Sequence, residues 1–348
     1  ELGPRARADA PLFWQIAGML GNGDRLLSAR KLFSLQLDLE RELPELHVAS
    51  LSLDSAVYKL QGIPDMLPRV YPELMDENMV SVICLGHSRY STNTLPSVTL
   101  SQPFSMLCHN GEINTVDRLR DCSRAMAIEH SPGSSDSQSL NRVVEGLVHL
   151  FELDIVEAME MVFPAVHSEV RNYPPEMQKL YTFYRWFFPC SAQGPAAVIA
   201  RFGDLCLGSV DALGLRPLWF VESDYDYVLS SEKGVVDLKR TISDPKPLAP
   251  GEKILIAAGR GRKAELLDYS AIQQWLRLQL EARQGMGRDI CPVSVPPLQA
   301  GKKGGVGSAG RNLPWRPRPG AGGIIPPGVV RDSRILGAFG WQQYDLMI

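Results

Sequence analysis

Three short polar motifs between residues 87 and 136 hold the residue types that could do chemistry. They are His87-Ser88-Arg89-Tyr90-Ser91-Thr92-Asn93, His109-Asn110-Gly111-Glu112-Ile113-Asn114 and Gly133-Ser134-Ser135-Asp136-Ser137. Arg89 stands where the apolar run Val80 to Gly86, which reads as a buried strand, must end. A lone Arg there binds an anion. Asn110-Gly111 follows a second strand, Phe104 to Cys108, and sets a side-chain amide beside a backbone free to take positive φ, so two N–H donors can converge. Asp136 opens an amphipathic helix, where a carboxylate can cap the helix and face a cationic ligand group. Together the motifs offer one site for the two ends of an amino acid and for a developing oxyanion. Each has a plainer reading: an ion pair for Arg89, a hairpin turn for Asn110-Gly111, an N-cap for Asp136. His87 and His109 do not form a Ser-His site with Ser88 or Ser91. The string Gly86-His87-Ser88-Arg89-Tyr90 lacks the second Gly of a nucleophile elbow, so both histidines read as structural.

The elements that must position these residues are legible from periodicity. Leu26 to Leu43 reads as a helix, and His47 to Leu53 and Ser55 to Leu60 as strands. Val116 to Ile128 reads as a helix. Leu140, Val143, Val144, Leu147, Val148 and Phe151 make one apolar helix face. Asp154 with Glu157 resembles a capping box, opening a helix that Pro164 ends. Glu176 to Phe188 is a strongly aromatic helix. Three hairpins follow: Ala196 to Phe202 with Leu205 to Val210, Leu218 to Glu222 with Tyr227 to Ser231, and Lys253 to Ala258 with Ala264 to Asp268. Ser270 to Arg283 is a last helix. Strands, then helices, then meander strands argue for layered α+β.

A length of 348 residues with 45% hydrophobic content is enough to bury a full core, and a net charge of −3 gives no case for a nucleic-acid partner. No apolar run reaches the ~20 residues needed to span a bilayer, and the start has no signal-peptide core, so no membrane partner is expected and a cytoplasmic location is. Six cysteines without a C-x-x-C pair sit mostly in apolar segments, which favours buried free thiols over disulfides or metal ligands. Residues 284–332 are rich in Gly and Pro and read as a flexible linker. Gly305-Val306-Gly307-Ser308-Ala309-Gly310 within it matches G-x-G-x-x-G, but no strand precedes it and no helix follows.

The motifs together resemble the class II glutamine amidotransferase domain, in the version found in the glutamate synthase large subunit. The strings H-x-R-x-S-T-N-T, H-N-G-E-I-N-T and S-D-S occur there in this order. Here they read His87 to Thr94, His109 to Thr115 and Ser135-Asp136-Ser137. Asp211 to Pro217 is similar to the family's D-R-N-G-L-R-P, departing at Ala212 and Leu213, and Ser230-Ser231-Glu232 to its A-S-E.

The resemblance implies an N-terminal-nucleophile hydrolase fold, a four-layer αββα sandwich of two antiparallel sheets between helices, here incomplete. It spans residues 1–283 and matches best over 47–258. Residues 333–348 resemble the start of the following synthase region. The implied chemistry is hydrolysis of the glutamine side-chain amide with release of ammonia. Arg89 would hold the α-carboxylate with support from Thr92, and Asp136 the α-ammonium. Asn110 and Gly111 would form the oxyanion hole. The family's nucleophile is a first-residue Cys whose own α-amine is the base. This sequence starts at Glu1, so the chain is expected to be a piece lacking that Cys and inactive alone. Glutamine is the implied substrate, and a synthase region, in the same protein or a separate subunit, the implied partner. No metal or cofactor is expected on this chain, with FMN and an iron–sulfur cluster implied for the synthase region. Two alternatives stand beside this reading: an inactive glutamine-binding or assembly module, and an amidotransferase serving another acceptor.

Overall fold

The structure, a computed structural model, describes residues 4, 12–18, 24–88, 97–224, 226–259, 262–285 and 334–339. Its longer helices are α1 (Arg25–Glu42), α2 (Val116–Ala125), α3 (Asp136–His149), α4 (Ile155–Val162), α5 (Pro175–Phe187) and α6 (Tyr269–Gly285). Its strands are β1 (Ile83–His87), β2 (Leu107–Gly111), β3 (Ala196–Phe202), β4 (Leu205–Val210), β5 (Trp219–Glu222), β6 (Asp226–Ser230), β7 (Lys246–Pro247), β8 (Lys253–Gly259), β9 (Arg262–Leu267) and β10 (Arg334–Phe339). They form sheet I, in the order β1-β10-β6-β5-β7, and sheet II, in the order β2-β3-β4-β8-β9.

The expectation of α+β architecture is met. Two strands expected early in the chain are not. Residues 47–60 run without regular structure, and their polar groups are satisfied by side chains, as where Val57 N donates to Ser50 Oγ at 3.1 Å. Alternation suggested strands, but a strand forms only by pairing with a neighbour, and among the described residues these join neither sheet. Sheet II is antiparallel throughout, whereas β10 in sheet I pairs parallel to both β1 and β6. A strand arriving from so far along the chain is free of the hairpin constraint that forces antiparallel neighbours. Residues 334–339 thus lie within the sheet. The linker residues 286–332, with their G-x-G-x-x-G string, and residues 340–348 lie outside the described residues.

Packing sets three layers among the described residues. One face of sheet II, through Leu107, Val198, Ala200, Leu207 and Leu255, shares a core with the helices. Its other face meets sheet I through Cys108, Ile199 and Ile256 against Ile83, Leu218 and Leu229. Helix α3 lies at the centre of the helical layer. Its Leu140, Val143, Val144 and Leu147 are all fully buried, each contributing roughly 1.5–3 kcal/mol by leaving water. Lys253 and Arg142 anchor buried ion pairs. Lys253 of β8 meets Glu160 of α4 at 3.4 Å and donates to the Phe163 carbonyl at 2.7 Å, while Arg142 of α3 pairs with Glu40 of α1 and, at 3.4 Å, with Glu145. The thiol expectation needs correcting: Cys122 of α2 and Cys190 form a disulfide across 68 residues. Sequence spacing carried no sign of that pairing, because it depends on α2 lying beside the end of α5. No helix among the described residues is long and apolar enough to cross a membrane.

Candidate active site

Strand direction gathers the motifs at one end of the sheets. Strands β2 and β4 both run antiparallel to β3, so they finish on the same side of sheet II. Strands β1 and β6, parallel through β10, finish together in sheet I. Asn110 joins the two ends. Its Nδ2 donates to Oγ of Ser231, just past β6, at 3.1 Å. An amide nitrogen carries two protons, so this bond leaves a second donor.

Gly111 is the last residue of β2 and not a hairpin turn. Its φ is +111°, and a Cβ there would come 1.8 Å from the Pro195 carbonyl oxygen. The close approach is locked by Glu112 N donating to that same oxygen at 3.0 Å. The exposed edge of β2 is covered by Gln102, whose amide both accepts from His109 N at 2.8 Å and donates to its carbonyl at 3.1 Å. The oxyanion-hole candidates therefore sit on a backbone held from both sides.

Asp136 is the first residue of α3. The capping expectation is corrected here, because Ser135 is the N-cap and forms a capping box with Gln138. Freed of the capping role, the Asp136 carboxylate borders an open cleft of about 380 Å³ lined also by Ile113, Asn114, Thr115, Asp117 and Arg118. It is not alone there. Arg120 of α2 approaches its Oδ1 at 3.3 Å while bonding Ser139 Oγ and the Ser134 carbonyl at 2.8 Å each. Asn110 and Gly111 do not line this cleft. The connection between them and α3 is His109, whose Nε2 lies 2.7 Å from Ser137 Oγ. Arg89 and Thr92 lie outside the described residues. The last described neighbours before them are His87, ending β1, and Ser88.

Sequence reasoning missed Arg120 and underrated the loop after β4. Asp211 is buried, and its carboxylate accepts the backbone N–H of Leu213, Leu215 and Arg216 at 3.0, 3.1 and 3.0 Å. Arg216 then reaches Glu232 at 3.4 Å, beside the Ser231 that holds Asn110. An Asp with a Gly three residues on is the sequence signal for such an Asx-braced loop. Arg120 gave none of this, since on its own helix its side chain meets only Asp117 among the described residues, at 3.5 Å, while Ser134, Asp136 and Ser139 belong to the start of α3.

The described cysteines are poor nucleophiles. Burial raises the Cys108 thiol well above its ordinary value, raises Cys206 to about 12 and raises Cys84. No group of three or more metal-ligating side chains occurs among the described residues.

Comparison with known proteins gives the class of protein. The family profile of the class-II glutamine amidotransferases matches residues 1–279. The chain belongs to that family. It is 31% identical over 304 residues to the glutamate synthase [NADPH] large chain of Azospirillum brasilense, covering 79% of this chain and 20% of that protein. It is 32% identical over 282 residues to the glutamate synthase [NADH] of Saccharomyces cerevisiae, covering 75% and 12%. For the glutamate synthase [NADPH] large chain of Bacillus subtilis the figures are 30% over 287 residues, 74% and 19%. The chain thus spans a fifth or less of the length of these relatives.

Proposed function

We propose that this chain forms the glutamine pocket of an ammonia-donating glutaminase domain in a glutamate synthase-type enzyme. The observation that carries the reading is the bridged pair of strand ends. Asn110 is tied across the sheets by Ser231, with one amide proton left over, and Gly111 is held at positive φ beside it. In the proposal, Asn110 Nδ2 and the Gly111 N–H receive the oxyanion of the tetrahedral intermediate, where loss of one donor costs ~10²–10³ in rate. Arg89 grips the α-carboxylate as a planar fork, Thr92 supports it, and Asp136 meets the α-ammonium. The nucleophile is a Cys with a free α-amine, and none of the six cysteines is assigned that role. The chain alone is proposed to bind glutamine without hydrolysing it. Its fold is proposed to be that of the N-terminal-nucleophile hydrolases, a four-layer sandwich over 1–283, with 284–332 as a linker and 333–348 opening the synthase region. FMN and the iron–sulfur cluster are proposed to belong to that region and not to this chain.

One observation favours a second reading, an inactive binding or assembly module. The Arg120 guanidinium already faces Asp136, competing with a substrate ammonium for the carboxylate. Titration calorimetry with glutamine separates a glutamine pocket from a role in assembly alone. Wild type is expected to bind, and Arg89→Ala to bind roughly 10- to 100-fold more weakly, the loss of a charge-assisted pair. Binding unaffected by Arg89→Ala would remove Arg89 from the pocket. No heat from either protein would leave assembly as the role.

A further inference from the structure

Lys59 has no place in the chemistry above, yet it is only 5% exposed. It lies in the irregular segment between α1 and the short helical turn that starts at Pro64. Its Nζ is 3.2 Å from His47 Nε2 and 3.2 Å from the Thr99 carbonyl oxygen, and it stands 4.7 Å from the centre of the Phe104 ring. No carboxylate pairs with it among the described residues. An ammonium can only donate, so His47 Nε2 accepts. That role suits a ring held neutral: burial, then the charges of Lys59 and Arg142, lower the His47 pKa to about 3. Burial lowers that of Lys59 to about 7.

A cation buried without an anion works against stability, and Met would fill the same space without that cost. What the cation does is hold one carbonyl. The Thr99 oxygen that it grips also accepts Gln138 Nε2 at 3.1 Å. Gln138 is the residue that closes the capping box of α3, its Oε1 taking Ser135 N at 2.8 Å. Asp136 sits between those two residues. Thr99 belongs to a tight turn in which Leu100 N donates to the Ser97 carbonyl and Ser101 N to the Val98 carbonyl, each at 3.2 Å. That turn follows Arg89 and Thr92 in the chain.

We propose that Lys59 is a positioning residue of the glutamine pocket, holding the Thr99 carbonyl so that the turn after the Arg89–Thr92 motif stays docked on the capped start of α3, where Asp136 is carried. The link to glutamine rests on the function proposed above; the link between Lys59, the turn and the helix start does not.

The test compares the full-length protein with Lys59→Met and Lys59→Arg by hydrogen exchange with mass spectrometry, thermal melting and titration calorimetry with glutamine. Lys59→Met is expected to melt higher than wild type and to exchange faster over 97–101 and 134–139. It is also expected to bind glutamine at least about tenfold more weakly. Lys59→Arg, which keeps a donor, is expected to recover part of both local protection and affinity. Unchanged exchange in those two segments overturns the positioning role whether or not glutamine binds. A lower melting temperature with faster exchange throughout also overturns it, by making Lys59 a residue of the fold. If wild type binds glutamine and Lys59→Met binds equally well, the pocket role falls. If wild type binds none, the function proposed above fails instead, and the exchange data alone decide the role of Lys59.

Discussion

Single residues at the candidate site are set by what stands opposite them. The dipeptide Asn110-Gly111 announced positive φ, but the reason for glycine is Pro195, whose carbonyl oxygen occupies the space of a side chain. Gly111→Ala is expected to destabilise the protein by about 2–4 kcal/mol, through strained backbone and overpacking together, as read by urea denaturation. An unchanged midpoint would mean that the strand end is not held as described. Asp136 shows the converse. Its presence at a helix start was legible, but its freedom from the capping role depends on Ser135, and its pairing depends on Arg120 sixteen residues away in sequence.

Elements add constraints that no single residue contains. Helix α3 displays its apolar face in the sequence, yet what fixes its position is polar: the capping box at one end and Arg142 between Glu40 and Glu145 on its flank. Helix α1 enters that cluster through Phe33, whose ring centre lies 5.6 Å from the Arg142 guanidinium, and through the carboxylate of Glu40, which also accepts from Ser131 Oγ at 2.8 Å. Glu40→Ala leaves Arg142 buried with one partner in place of two. The expected cost is about 3 kcal/mol, the low end for a broken buried pair. Chemical denaturation measures the total, and faster amide exchange in α1 than elsewhere would locate it. Loss of stability without loosening of α1 would contradict the docking role.

The whole molecule couples these layers to pH through histidines kept neutral in its interior. Burial, followed by the nearby Arg142, Arg120 and Arg124, lowers His130 to about 4. Burial lowers His149, packed between Phe33 and Phe202, to about 4 as well, and His47 falls to about 3. A histidine whose folded pKa lies below its unfolded value near 6.5 binds its proton more readily when unfolded. The histidine contribution to stability is therefore constant above about pH 6.5 and falls as pH drops toward about 4. Urea midpoints measured across that window are expected to decline steadily, with a total loss on the order of several kcal/mol. Asp54, held low by Arg201 and Arg25 against the opposing effect of burial, adds its own loss only below the ordinary carboxylate range. A flat profile between those limits would show that the histidines are solvated.

The sequence by itself determined the family, the α+β class, the long helices and the three hairpins. These depend on local periodicity, on turn residues and on motif order, all written within a few residues of one another. Gly203-Asp204 between two apolar runs, or the face of α3 from Leu140 to Val148, needs no distant partner to be read. What only the tertiary structure decided depends on contacts between segments far apart in the chain. It left 47–60 without a strand partner, placed β10 between β1 and β6, closed Cys122 onto Cys190, turned Asn110 toward Ser231 and set Arg120 on Asp136. Each of these is a meeting of groups whose separation along the chain carries no information about their distance in space.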